Sequence, residues 1–137
     1  MLNEKELTSE KINSNIDGHI ADITKEFRNG FEFLKKFPKS VTFFGSARLT
    51  QASSHYDDAR RLASKIVTEL GYSVITGGGP GIMEAANRGA RDVGARSVAC
   101  NIRLPHEPAA NPFVDRLVTM RFFFSFSNAA SIRPRLA

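Results

Sequence analysis

The chain has one cysteine, no tryptophan and three histidines among 137 residues. A single thiol, Cys100, excludes an internal disulfide, and the absence of any Cys/His cluster excludes a zinc site of the usual spacing. No apolar run is long enough to span a bilayer, and the charged N-terminus lacks the apolar core of a secretory signal. The glycine-rich stretch in the middle of the chain is not followed by Lys-Ser/Thr, which excludes a phosphate loop of the Walker type. Nor does its spacing match G-x-G-x-x-G. The net charge of +5 is spread along the chain rather than gathered into a patch, so a nucleic-acid partner is not expected. Neither a membrane partner nor a metal or cofactor is expected, and the default compartment is the cytoplasm. Apolar content of 42% and charged content of 24% are those of an ordinary globular chain, long enough for one domain with a core.

The stretch around which the rest is arranged is Gly77-Gly78-Gly79-Pro80-Gly81-Ile82-Met83-Glu84, directly after the apolar run Tyr72–Thr76. The run reads as a buried strand, and the residues from Met83 onward read as a helix. Consecutive glycines allow a sharp turn and close approach of another molecule to the backbone. Pro80 suits the start of a first helical turn. The N-terminus of the helix offers free N–H groups and the positive end of its dipole, a setting for phosphate. A tight βα connection that binds nothing is the plain alternative on this motif alone.

A second turn shifts that balance. Val41–Phe44 reads as a β-branched and aromatic strand ended by Gly45-Ser46-Ala47-Arg48. A helix from about His55 to Leu70 follows, with Ala59, Leu62, Ala63, Ile66, Val67 and Leu70 as its apolar face, and Gly71 stops it. Strand, small-residue turn, helix, strand, glycine turn, helix is the order of two βα units in a parallel sheet, with both turns on one edge. The second helix carries Met83, Ala86, Ala90 and Val93 and stops at Gly94. A third strand is expected over Ser97–Ile102 and a fourth over Leu117–Phe124.

Ahead of this, residues 1–19 are polar and expected to be frayed or disordered. An amphipathic helical arm is expected over 20–37, on Ile20, Ile23, Phe27, Phe31 and Leu34. The Rossmann-like domain occupies 41–124, and 125–137 has no clear period. The fold class is therefore α/β, a three-layer Rossmann-like parallel sheet with an N-terminal amphipathic helix.

Three blocks carry a resemblance: Val41–Arg48, Ile75–Ala90 and Asn101–Glu107. Together they resemble the LOG family, Rossmann-like proteins that include the Lonely Guy cytokinin-activating phosphoribohydrolases and often bear a lysine-decarboxylase label. The resemblance implies hydrolysis of the N-glycosidic bond of a nucleoside 5′-monophosphate, a cytokinin nucleotide or AMP, to free base and ribose 5-phosphate. It implies no metal and a homodimer or larger homo-oligomer. The expected substrate-binding residues are Gly45, Ser46, Gly77, Gly78, Gly79, Gly81, Met83, Glu84 and Glu107.

Each of these has a plainer reading beside it. Glu84 in the first helical turn suits the dipole as well as a ligand, Glu107 suits a solvated loop, and Met83 suits the core. Arg48 reads as a surface arginine that could meet phosphate, His106 as a loop residue, and Cys100 as a buried strand residue rather than a nucleophile.

After the fourth strand the family has an Arg-Lys pair and then a Pro-Gly-Gly-x-Gly-Thr-x-x-Glu loop. Here Phe126-Ser127 stands where the pair belongs and the loop is absent. The sequence thus reads as a domain incomplete at its C-terminus, cut short or shifted in frame, with impaired catalysis and unassigned catalytic residues. A nucleotide-binding module without turnover, and an interaction subunit of a full-length paralogue, are the alternatives.

Overall fold

The computed structural model describes residues 9–103 and 109–122. Helix α1 (Ser9–Leu34) leads into strand β1 (Ser40–Thr42), helix α2 (Ser54–Leu70), strand β2 (Ser73–Thr76), helix α3 (Ile82–Asp92), strand β3 (Ser97–Ile102) and strand β4 (Arg116–Met120). The strands form one sheet in the order β1-β2-β3-β4. Every pairing is parallel, with Val41 opposite Val74, Ile75 opposite Val98 and Ile102 opposite Met120.

Side chains alternate across a strand, and each face has its own cover. Val74 points toward α2 and α3, where it packs with Ala63, Ala86 and Ala90, flanked by Val41, Phe43 and Val67. Ile75, one residue on, points the other way and packs with Val98, Cys100 and Phe37, flanked by Phe33 and Leu34 from the end of α1. A sheet in sequential order with right-handed crossovers carries its crossover helices on one face, which is where α2 and α3 lie. The result is three layers: α1, the sheet, then α2 with α3.

Boundaries differ from expectation in ways that packing explains. Helix α1 starts at Ser9, ahead of Ile20, so residues 9–19 are helical. Its N-terminal part is poorly covered, with Ile16 48% and Ile20 56% exposed. Strand β1 gives up Phe43 and Phe44. The N–H of Phe43 still reaches Ile75 O at 3.0 Å, and Phe44 stands 67% exposed. On α2, Leu62 and Leu70 are exposed rather than buried, and Val93, expected on the buried face of α3, follows the end of that helix and is exposed too. The α2–α3 contact is made by small residues, so the buried stripes are narrower than the apolar pattern suggests. Strand β4 spans Arg116–Met120 rather than Leu117–Phe124. Residues 123 and 124 and the aperiodic stretch 125–137 lie outside the described residues. Helix α1 is fastened to the end of β4 by Glu26, whose Oε1 accepts the backbone N–H groups of Arg121 and Phe122. Among the described residues no helix is long and apolar enough to cross a membrane.

Candidate functional site

The glycine turn joins β2 to α3 at the carboxyl edge of the sheet. Gly78 has φ 78° and Gly81 φ 71°, both in the left-handed region that only glycine enters cheaply. A Cβ on Gly81 would collide with Ser46 O, so any larger residue there must push the two turns apart.

Hydrogen bonds hold the turn from below. Gly78 N–H donates to Thr76 Oγ1 at 2.9 Å, and the Thr76 hydroxyl donates to Asn87 Oδ1 at 2.6 Å. Asn111, arriving from the loop before β4, uses its backbone N–H on Gly78 O at 2.8 Å. Its Nδ2 donates to Gly79 O and to Asn87 Oδ1, each at 3.0 Å. Asn87 is fully buried and Asn111 nearly so. Two carbonyls of the turn are thereby consumed inside the protein. The N–H groups of Gly79 and Gly81 have no protein partner among the described residues. The turn is thus left with two N–H groups, donors that an anion can use.

The second turn, Gly45–Arg48, lies against the first. Ser46 O accepts the N–H of Ile82 at 3.0 Å, and Ser46 Oγ accepts that of Arg48 at 3.2 Å. A Cβ on Gly45 would meet Ile82 at 2.6 Å. Gly45, Ser46 and Gly81 therefore weld the two turns together rather than line the space between them. One of the N-terminal donors of α3 is spent on that weld.

Between the turns is a crevice of about 200 Å³, smaller than the ~300–1,000 Å³ of typical small-molecule sites. Cys100, Asn101 and Ile102 form its floor, Gly77–Gly79 with Pro80 and Met83 one wall, and Phe44 with Ala47 the other. Met83 lays its thioether along the turn, its Sδ 3.1 Å from where a Gly77 Cβ would be. Burial pushes the Cys100 thiol from 9.0 up to about 11, so it stays protonated and un-nucleophilic at neutral pH.

Glu84 is not part of the crevice lining. It turns toward α2, where its Oε1 accepts the Tyr56 hydroxyl at 2.7 Å and Gln51 Nε2 at 3.1 Å. Arg88 closes that cluster, donating to Gln51 Oε1 at 3.0 Å and stacking 5.2 Å from the centre of the Phe113 ring. The pKa of Tyr56 is raised, first by burial and then by its bond to Glu84. Arg48 is exposed and is not part of the lining. Glu107 and His106 lie outside the described residues. Among the described residues no carboxylate lines the crevice, and no cluster of His, Cys, Asp and Glu could hold a metal.

Sequence reasoning passed over the two asparagines that fasten the turn. The signal for Asn87 was present: it lies on the same helical stripe as Met83, Ala86 and Ala90, where a polar side chain needs a buried partner. Asn111 gave no comparable signal, because an Asn-Pro pair reads simply as a turn.

The model of the SLOG cluster4 family matches residues 38–119. The chain belongs to that family. SLOG proteins are LOG-like, so the resemblance read from the three motifs holds, and the matched segment takes in β1 to β3, both turns and all of β4 but Met120. Membership points to a nucleotide-related, Rossmann-like protein. Among solved structures the chain is similar to the X-ray structure of TM1055, a structural genomics target, at 27% identity and a TM-score of 0.45. That match covers 66% of this chain and 51% of the other, about half its length. No curated protein matches the chain.

Proposed function

We propose that this SLOG domain binds a nucleoside 5′-monophosphate, with phosphate at the glycine turn and the base over the crevice floor, in the cytoplasm. The observation that carries the reading is the donor that the turn leaves on the crevice wall. Asn111 takes up the carbonyls of Gly78 and Gly79, while the Gly79 N–H stays unpaired among the described residues. The reaction that the LOG resemblance implies is hydrolysis of the N-glycosidic bond to free base and ribose 5-phosphate. Cleaving that bond builds positive charge on the ribose and calls for a carboxylate to position water or stabilise charge. With Glu84 tied to Tyr56 and Gln51, we propose that binding dominates and that turnover by this chain is slow. A homodimer is proposed with it, and the poorly covered Ile16 and Ile20 of α1 favour such pairing.

Calorimetric titration of AMP into the purified chain, beside an assay for ribose 5-phosphate, tests both parts. Saturable binding with little ribose 5-phosphate is the expected result. Rapid release of ribose 5-phosphate would overturn the assignment of slow turnover, and no binding at millimolar AMP would overturn the nucleotide reading itself.

A further inference from the structure

We infer that Asn101 reads the base of the bound nucleotide as a hydrogen-bond donor, so that the crevice selects heterocycles presenting an acceptor atom. This rests on the nucleotide reading above and adds its specificity. Asn101 is next to last in β3 and forms part of the crevice floor. A Cβ on Gly78 would be 3.9 Å from that of Asn101, so the side chain leaves the sheet on the side of the glycine turn.

Its Oδ1 accepts the backbone N–H of Ile102 at 2.7 Å. That bond identifies the two ends of the amide, since a side-chain NH₂ cannot accept from an N–H. The acceptor end is thus spent within the chain. Nδ2 keeps two donors and has no protein partner among the described residues. The residue is half-buried beside Cys100 and Ile102, so a ligand seated over the floor that offers Nδ2 no acceptor strips it of water at a cost.

The other polar side chains beneath the turn cannot take this role. Thr76, Asn87 and Asn111 are bonded to one another and to backbone carbonyls. The Cys100 thiol is a weak donor. Asn101 therefore supplies the amide donor of the lining, and no carboxylate is present there among the described residues to read an amino group. Discrimination falls on the ring nitrogens or carbonyl of the base rather than on its exocyclic amine.

The test titrates AMP and its 1-deaza, 3-deaza and 7-deaza analogues into the unaltered chain, Asn101→Asp and Asn101→Ala. Each analogue replaces one ring acceptor with C–H. The expected result is that one analogue binds the unaltered chain about three- to tenfold more weakly than AMP, the size of one net hydrogen bond. That same analogue should match AMP on Asn101→Asp, which keeps an oxygen for the Ile102 N–H but has no NH₂. Asn101→Ala should also lose the discrimination. Equal binding of all four nucleotides to the unaltered chain overturns the inference without any variant. So does discrimination that persists in both variants. If AMP binds without discrimination, the nucleotide reading stands and only the role of Asn101 falls. If AMP does not bind, both fall.

Discussion

Nδ2 of Asn111 lies 3.0 Å from Oδ1 of Asn87, joining the loop before β4 to the middle of α3 directly beneath the glycine turn. Through this contact the shape of the crevice depends on a segment distant in sequence from the glycines. The two asparagines should respond differently to removal. Asn87→Ala takes away partners of Thr76, Asn111 and Val98 O inside the core. It should cost about 3 kcal/mol, since each orphaned buried group costs roughly 1–3 kcal/mol. Asn111→Ala keeps the backbone bond to Gly78 O and should cost about 1–2 kcal/mol, yet it frees Gly79 O and should weaken AMP binding. Urea unfolding gives the first pair of numbers and titration the second. Equal stability losses with unchanged affinity would mean that Asn111 does not hold the turn.

Much of the fold was legible because the interior follows simple periods. Val74 and Ile75 are adjacent, apolar and on opposite faces, which is what a strand covered on both sides demands. Gly71 ends α2 in the left-handed conformation with its N–H on Val67 O, as a C-terminal glycine should. What escaped the sequence was set by partners far along the chain. The start of α1 had no apolar period to mark it, because residues 15–20 are exposed. The direction of Glu84 could not be read from its place in a first helical turn. Tyr56 lies 28 positions away, and its hydroxyl draws the carboxylate toward α2. Both glycine turns were legible as βα connections at one edge of the sheet; the asparagine fastening depends on loop geometry that no local pattern encodes.

Gly81 and Gly94 share a positive φ, 71° and 72°, but have different surroundings. A Cβ on Gly94 meets nothing within 4 Å, whereas one on Gly81 collides with Ser46 O. Gly94→Ala should therefore cost only the left-handed strain of about 1–2 kcal/mol. Gly81→Ala should cost more, because it also forces the two turns apart and strips the Ile82 N–H of Ser46 O. Denaturant unfolding of the two variants side by side checks the ordering. Equal losses would show that the turns are not in contact.

Glu84 is placed to support α2 and α3 rather than the ligand, and its variants should say so. Glu84→Gln keeps an oxygen for the Tyr56 hydroxyl and should bind AMP within about twofold of the unaltered chain. Tyr56→Phe removes a hydrogen bond to a charged group and should cost about 1.5–3 kcal/mol, with no change in AMP affinity. A tenfold loss of affinity in Glu84→Gln would place its carboxylate at the ligand instead.

The two groups whose protons burial retains make the fold sensitive to alkali. Cys100 is held at about 11 in the folded protein against 9.0 for the free thiol. Unfolded chains release that proton near pH 9 and folded ones do not. The stabilisation is therefore complete below pH 9 and is lost as pH rises toward 11. The loss is about 2–3 kcal/mol, because each tenfold difference in proton affinity between the folded and unfolded chain is worth ~1.4 kcal/mol. Tyr56, whose pKa is also raised by burial and then by Glu84, acts in the same direction from its ordinary value of 10.0 upward. Urea unfolding at pH 8, 9, 10 and 11 should show the midpoint falling most steeply over the upper half of that range. Cys100→Ala will be less stable at pH 8, because it leaves a gap beside Phe37, Ile75 and Val98. Its further loss toward pH 11 should nevertheless be smaller than that of the unaltered chain by the share of the thiol. Parallel curves for the two proteins would remove Cys100 as the source, leaving Tyr56→Phe as the variant whose curve should flatten above pH 10.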